Sequence, residues 1–554
     1  IVENRNATGN AGNIQIFGNQ LRLGDRGTIA SDTFGRGNAG EIFIRMQDSI
    51  TLSRGYISSR VSAGGTGDGN NIQIQTANLN LIDGGGIITT VMRPSRDAQD
   101  NLLLAGQGRA GNITIRALDS VRITGIDRDG FSSGIFTTTE RATQGRTGNI
   151  TISADNFHIA EGGIIIAGSS NNSPAGDITI NANTFEAIDG GVIVTTARQG
   201  GNAGDITLNV TEDVHLSGSY PNFDNWVERV DRYIRNNPSE RRSDILWSQE
   251  TASGLFANTT RGSQARGGRI TVNTHDLSLT DNAVISSASQ GRGQAGRIQM
   301  QATGDLTLND RSTISTRSQR NQAGGILIQA DQIEATNSNI TTSAQRSSGG
   351  NIRLNASQIR LYGDSDLRTA SGDEGGNITL SADSILAFED SDILAFAGIR
   401  GGDIRFNTPA FFGNGYQSSN TGENPDGLDG NDRTDINASG QVSSGTISTP
   451  DTSFIQNSLT ELPETAIDTE ALISSSCVVR RDTQSGTFII TGTDGLPERP
   501  GNTTQSQFPT GEVRSIPDAT AHAEEGWQVG DSIVEPQGVY QLPDGQLVMS
   551  RECS

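Results

Sequence analysis

AGRIQMQATGDLTLNDRSTISTRSQRNQAGG, from Ala295 to Gly325, decides the fold. It divides into three short pieces, Arg297–Ala302, Asp305–Asp310 and Ser312–Gln319, separated by polar or glycine-containing joints. Each piece alternates apolar and polar residues, which puts Ile298, Met300, Leu306, Leu308 and Ile314 on one side of three strands. Three half-buried strands cannot close a core by themselves. They need a neighbour with the same pattern.

The neighbours are present along the chain. The opening phrase returns as AGNIQI at Ala11, AGEIFI at Ala39, AGNITI at Ala110, AGDITI at Ala175, GGRITV at Gly267, GGNITL at Gly375 and GGDIRF at Gly401. Its isoleucines fall at 14, 42, 72, 113, 150, 178, 206, 270, 298, 326, 352, 378 and 404, mostly 26 or 28 residues apart. A fixed period of this length marks a stacked repeat, in which each strand pairs in parallel with its equivalent in the next repeat. The expected fold is all-β: a parallel β-helix of about thirteen coils, with a helical insertion and a small C-terminal β region. At ~4.8 Å per strand layer, thirteen coils make a rod roughly 60 Å long. A propeller would need a longer period and more aromatic residues than the 5% present, and hairpin dipeptides do not recur in register for a sandwich. The glycine two residues before each isoleucine is expected to turn a corner at positive φ.

The chain carries a net charge of −22 and has no lysine, so its 41 cationic residues are all arginine. Nucleic acid and anionic membranes are therefore poor partners, and lysine-dependent chemistry is excluded. No apolar run is long enough to span a membrane. The sequence starts at Ile1 with the coil pattern almost at once, which suggests a trimmed or processed piece of a longer protein. Its two cysteines, Cys477 and Cys553, read as a disulfide closing a long loop in an oxidising compartment.

The rhythm breaks once by 64 residues, between Ile206 and Ile270, which is one period plus a 36-residue insertion. Within it Phe223, Trp226, Val227, Val230 and Ile234 follow helical spacing up to Pro238. Tyr220, Phe223, Trp226, Tyr233 and Trp247 make this insertion the candidate partner-binding protrusion, with flank packing of the same stripe as the compatible alternative. Shorter excursions at Arg93–Gln107 and Asp127–Arg146 read as corner loops.

No catalytic constellation emerges. Glu389, Asp390 and Asp392 come nearest to a carboxylate cluster and read as a solvated turn, and the four histidines do not combine into a metal or triad set. GGTGDG at Gly64–Gly69 lacks the lysine and helix of a phosphate loop. Asp426, Asp429, Asp432 and Asp435 offer Ca²⁺ oxygen ligands in a glycine-rich stretch without EF-hand spacing, against the plainer reading of a solvated linker. No cofactor is expected beyond that candidate ion.

After Ile404 the rhythm is expected to fail, with Phe406, Phe411, Phe412 and Tyr416 plugging the end of the rod. The tail holds LPETAIDTEALISSSC (Leu462–Cys477), GTFIITGTDGLPERP (Gly486–Pro500) and VYQLPDGQLVMSREC (Val539–Cys553), the last reading as a hairpin turning at Asp544-Gly545. Together, the coils and this tail resemble the filamentous-haemagglutinin-like exoproteins of cyanobacteria, of the two-partner secretion class and often called S-layer family proteins. The resemblance implies a right-handed β-helix, a cleaved signal peptide, export through an outer-membrane transporter partner, and an extracellular or cell-surface location. The secretion domain of that family is missing here, and is expected either to precede Ile1 or to have been removed by processing. The expected divisions are 1–217 and 253–408 for the β-helix, 218–252 for the insertion, 409–450 for a capping and polar linker region, and 451–554 for the tail.

The functional expectation is a non-enzymatic adhesin or structural fibre that contacts a cell-surface glycan, a protein or copies of itself. The alternatives are a glycan-degrading lyase or hydrolase and the stalk of a contact-dependent system.

Overall fold

The computed structural model describes residues 7–97, 100–237, 251–413, 417–418 and 427–448, and four short strands at 485–487, 512–515, 538–541 and 547–550. The chain divides into two compact units, Ile1–Thr452 and Ser453–Ser554. The first is a parallel β-solenoid of about thirteen turns, and the described residues contain one helix, Phe223–Asn236.

Every coil isoleucine read from the sequence pairs with the next: Ile14 with Ile42, Ile178 with Ile206, Ile206 with Ile270, Ile298 with Ile326, and Ile378 with Ile404. The pairing continues one step beyond the expected end. Ile447 pairs with Ile404, and Asp435–Asn437 continues the third-strand ladder onto Ile393. Asp435–Asn437 thus completes the coil that begins at Ile404, and Ile447–Ser448 takes the first ladder one strand further, 43 residues on and entered through the phrase Gly445-Thr446-Ile447.

Three ladders run along the solenoid, one for each strand of the coil. In the first four coils the first two strands run on as single strands, such as Ile42–Ser53 and Ile113–Thr124, with a register shift at the join for Ile14–Gly24, Ile42–Ser53 and Ile72–Ile82. The inward residues form one continuous apolar column in which Ile42, Leu79, Ile150, Leu216, Ile298, Ile340 and Ile385 are completely buried. Phe157 and Phe185 stack within it at 5.1 Å between ring centres, nearly parallel. At roughly 25 cal/mol per Å² of apolar surface removed from water, this repeated column is the main stabilising term, and each coil contributes to it only in contact with its neighbours.

The glycine that stands two residues before every coil isoleucine except Ile72 does not sit at positive φ, contrary to expectation. Its reason is crowding. A Cβ on Gly324 would lie 1.7 Å from the carbonyl oxygen of Gly296, and one on Gly376 would lie 1.8 Å from that of Gly350. Buried hydroxyls of the third ladder hold carbonyls of these glycines: Thr316 Oγ1 donates to that of Gly324 at 2.6 Å and Thr342 Oγ1 to that of Gly350 at 2.7 Å. The polar residue that follows the glycine is Asn or Asp for an equally local cause. Its side-chain oxygen accepts the backbone N–H of the equivalent residue one coil on, from Asn112 to Asn149, Asn149 to Asp177, Asp177 to Asp205 and Asp205 to Arg269, at 2.7 to 2.9 Å.

In the second unit, Gly538–Gln541 and Leu547–Ser550 form the expected antiparallel hairpin. Its turn, Asp544-Gly545, and the cysteines Cys477 and Cys553 lie outside the described residues.

Candidate functional site

The third ladder lies in one sheet whose inner side chains fill the core, so its outer side chains are the ones free to vary. From Val192–Ala197 through Gly254–Thr259, Val284–Ser289, Thr313–Ser318 and Asn339–Ala344 to Leu367–Ser371, they line a groove of about 1350 Å³. Register sets their neighbours. Ser286 sits beside Ser315, Ala288 beside Arg317, Ser315 beside Thr341, and Thr341 beside Arg368. Six coils at ~4.8 Å spacing make the groove roughly 24 Å long.

Its chemistry is one-sided. Arg141, Arg198, Arg261, Arg317 and Arg368 line it with serine, threonine, asparagine and glutamine, and no Asp or Glu is among the lining residues. An arginine-rich surface stands out in a chain with net charge −22. Arg261 and Arg317 are exposed. Guanidinium groups present donors in a planar fork that matches carboxylate or sulfate oxygens, and the hydroxyls add neutral hydrogen bonds. At one end the groove meets an apolar patch in which Val192, Val194, Ile164, Ile166 and Phe256 pack with Phe136 and Val284. The two-carboxylate chemistry of glycoside hydrolysis has no groups to use on this lining. The sequence carries the signal: the stretches Val192–Gln199, Gly254–Gln264, Val284–Gln294, Thr313–Gln322 and Asn339–Gly349 contain no Asp or Glu, whereas the whole chain has 63. Only stacking shows that these stretches adjoin.

The insertion forms the expected helix, and its aromatic stripe turns toward the solenoid. Trp226 Nε1 donates to the carbonyl of Gly130 at 2.8 Å, and Val230 is fully buried against the same turn. Tyr220 and Phe223 meet Trp226 edge-on at 5.5 and 5.7 Å, and Tyr233 meets Phe131 at 4.9 Å. The excursion after Gly125 is therefore the helix's seat: Ile126 pairs with Ser132 across it, and the rest of the expected loop is the regular strand Gly134–Thr139. Trp247 lies outside the described residues.

Stacking also builds a polar column on the second ladder that sequence spacing did not show. His158, Glu186, His215 and Ser278 occupy successive positions, with His158 Nδ1 2.6 Å from Glu186 and His215 Nδ1 2.7 Å from Ser278. It is not a triad, because Ser278 meets the His215 nitrogen that an orienting carboxylate would occupy. His275 bonds Thr303 at 2.9 Å and stands apart.

The acidic turn is solvated only in part, with Glu389 exposed and Asp390 half-buried. Asp392 is fully buried and Asp366 is 7% exposed. Asp366 is pushed up to about 7, first by burial and then by Asp429, and Asp392 up to about 8, first by burial and then by the charges of Asp366, Asp435 and Asp390. Among the described residues, Asp429, Asp432 and Asp435 of the expected set do not come together as one group. Asp435 is buried and paired with Arg433 Nε at 3.0 Å, Asp432 is exposed, and Asp426 lies outside the described residues. Asp429 instead joins Asp364 and Asp390. Among the described residues no helix is long and apolar enough to cross a membrane. No family model, curated protein or solved structure matches the sequence.

Proposed function

We propose that this chain is an exported, surface-exposed β-helical rod of the filamentous-haemagglutinin-like, two-partner kind, passed through an outer-membrane transporter. In this reading it is a non-enzymatic adhesin or structural component whose third-ladder groove holds an acidic polysaccharide. The carrying observation is the groove itself: five arginines and no carboxylate, spread over six coils of a strongly acidic chain. A polymer with one negative group every few ångströms meets this surface repeatedly, so modest contacts multiply along its length. The net negative charge elsewhere disfavours binding outside the groove.

The test is binding of polygalacturonate to the full chain, with neutral dextran as the comparison. Polygalacturonate is expected to bind in a salt-sensitive manner, and the double variant R261E/R317E to bind at least tenfold more weakly, a loss of about 1.4 kcal/mol. Equal binding of dextran, or no effect of the double variant, would sink the groove assignment. Shortening of the polygalacturonate during incubation would favour the degrading-enzyme alternative instead.

A further inference from the structure

Charge is segregated around the coils that carry the groove. From Ala257 to Gly363 the chain has six carboxylates, Asp276, Asp281, Asp305, Asp310, Asp331 and Glu334. All six lie on the second strands or immediately at their ends. Nine of the eleven arginines in the same stretch lie elsewhere, on the third strands, the first strands or the corner that joins a third strand to the next first strand. A surface that served only solubility would intersperse the two signs.

Six of the nine, Arg266, Arg269, Arg292, Arg297, Arg320 and Arg346, stand on that corner outside the groove, and each is exposed. Stacking brings them together. Arg269 and Arg297 directly precede the paired Ile270 and Ile298, and the Ile270 N–H donates to the Arg297 carbonyl at 3.0 Å. Asn321 Nδ2 reaches the Arg292 carbonyl at 3.4 Å, which sets the corners of Arg292 and Arg320 one layer apart. Arg320 and Arg346 each follow by two residues the paired Ser318 and Ala344. Among the described residues, no ion pair engages any of these six side chains. Like charges on neighbouring layers oppose stacking, and here no opposite charge offsets them. The stripe is bounded along the axis, by Asp205 on the corner before Ile206 and by Asp373 and Glu374 on the corner before Ile378. It is also continuous with the groove. Gln290 and Gln319 line the groove, and Arg292 and Arg320 follow them by two residues and by one. The corner from Gln319 to Gly325 is at most about 23 Å of chain.

Resting on the groove reading above, we propose that the acidic polysaccharide leaves the groove across this corner and is held there by Arg266, Arg269, Arg292, Arg297, Arg320 and Arg346, so that the protein selects long acidic chains over short ones. A polymer that fills the groove and turns over the corner makes its second set of contacts from a tethered position, at high effective concentration. A short oligomer has only the concave groove to hold it. Guanidinium forks pair with carboxylates on either surface. A flexible single chain follows so sharp a bend, whereas a DNA duplex, stiff over ~50 nm, does not.

The test is calorimetric titration of the full chain with tetragalacturonate and with polygalacturonate of about twenty residues, compared per tetramer of sugar. The long chain should bind at least tenfold more tightly, and R292E/R297E should remove that advantage while leaving tetragalacturonate binding unchanged. The milder R292Q/R297Q should remove part of it, and R109E, on the same corner four layers before Arg269, none. Losses with R261E/R317E at both lengths, but none with R292E/R297E, would overturn the corner and leave the groove standing. Absence of binding at either length, or indifference to R261E/R317E, would take both away. Tighter binding of a DNA duplex than of the long polygalacturonate would also overturn the corner assignment.

Discussion

The glycine before each coil isoleucine offers a sharp test of what holds the stack together. In Gly324→Ala the new Cβ would stand 1.7 Å from the Gly296 oxygen, where real contacts stop at 3.0 Å. The two coils must therefore part locally by about 1.3 Å, far up the repulsive wall of the dispersion potential. That movement stretches the bonds from Ala295 N to Gln322 O (3.1 Å) and from Ile298 N to Gly325 O (3.0 Å), and disturbs the Thr316 bond to the carbonyl of residue 324 itself. At about 1 kcal/mol net for each bond, the cost is roughly 3 kcal/mol before any loss of core packing. Gly12 occupies the same place in its phrase but has no atom within 4 Å of a built Cβ, so Gly12→Ala should be neutral or stabilising by up to ~1 kcal/mol. The assay is urea unfolding combined with amide exchange across coils 298–354, because a repeat array need not unfold in one step. Equal losses in the two variants would refute the crowding argument and restore a conformational role for these glycines.

Other expectations follow from single features. Asp366 and Asp392 have folded values near 7 and 8, above the ordinary carboxylate value of 3.8, so the folded chain holds more protons than the unfolded chain between those limits. In chelator, stability of the last coils should therefore be greatest below about pH 4 and fall as pH rises toward 8, and D392N should flatten that slope; thermal melts at stepped pH read it directly. Ile298→Ala removes a fully buried side chain and should cost about 2–5 kcal/mol in exchange protection of its own and adjacent coils. Asn149→Ala deletes the acceptor for Asp177 N–H at an exposed site and should cost about 1 kcal/mol or less by urea unfolding. Trp226→Ala should release the helix from its seat, increasing exchange over Phe223–Asn236 while leaving the coil ladders protected.

The coil register was legible because one isoleucine per repeat is buried in the same ladder, and period-two alternation survives every insertion. The ladder step at Ile447 was not legible: 43 residues separate it from Ile404, and its phrase has Thr446 where Asn or Asp usually stands. The crowding around the glycines was invisible because it arises between residues 28 apart in sequence and one strand layer apart in space. The arginine groove and the buried aspartates share that cause. Arg317 and Arg368 look like scattered surface charges until stacking puts both on one groove, and Asp366 and Asp392 look like polar turn residues until it makes them neighbours. The helix was readable from its spacing, but its seat at Asp127–Gly130 lies about a hundred residues away and carries no complementary pattern.

The ladder bonds all point along the axis of the solenoid, which has a mechanical consequence. Tension applied between the ends of this unit loads the bonds between neighbouring coils directly, and the weakest junction opens first while the others hold. A 28-residue coil such as Ile178–Asp205, once detached, passes from a layer ~4.8 Å thick to a strand of roughly 95 Å. Each release lengthens that one layer about twentyfold and drops the force on what remains. A solenoid built this way yields in small increments under tension, coil after coil.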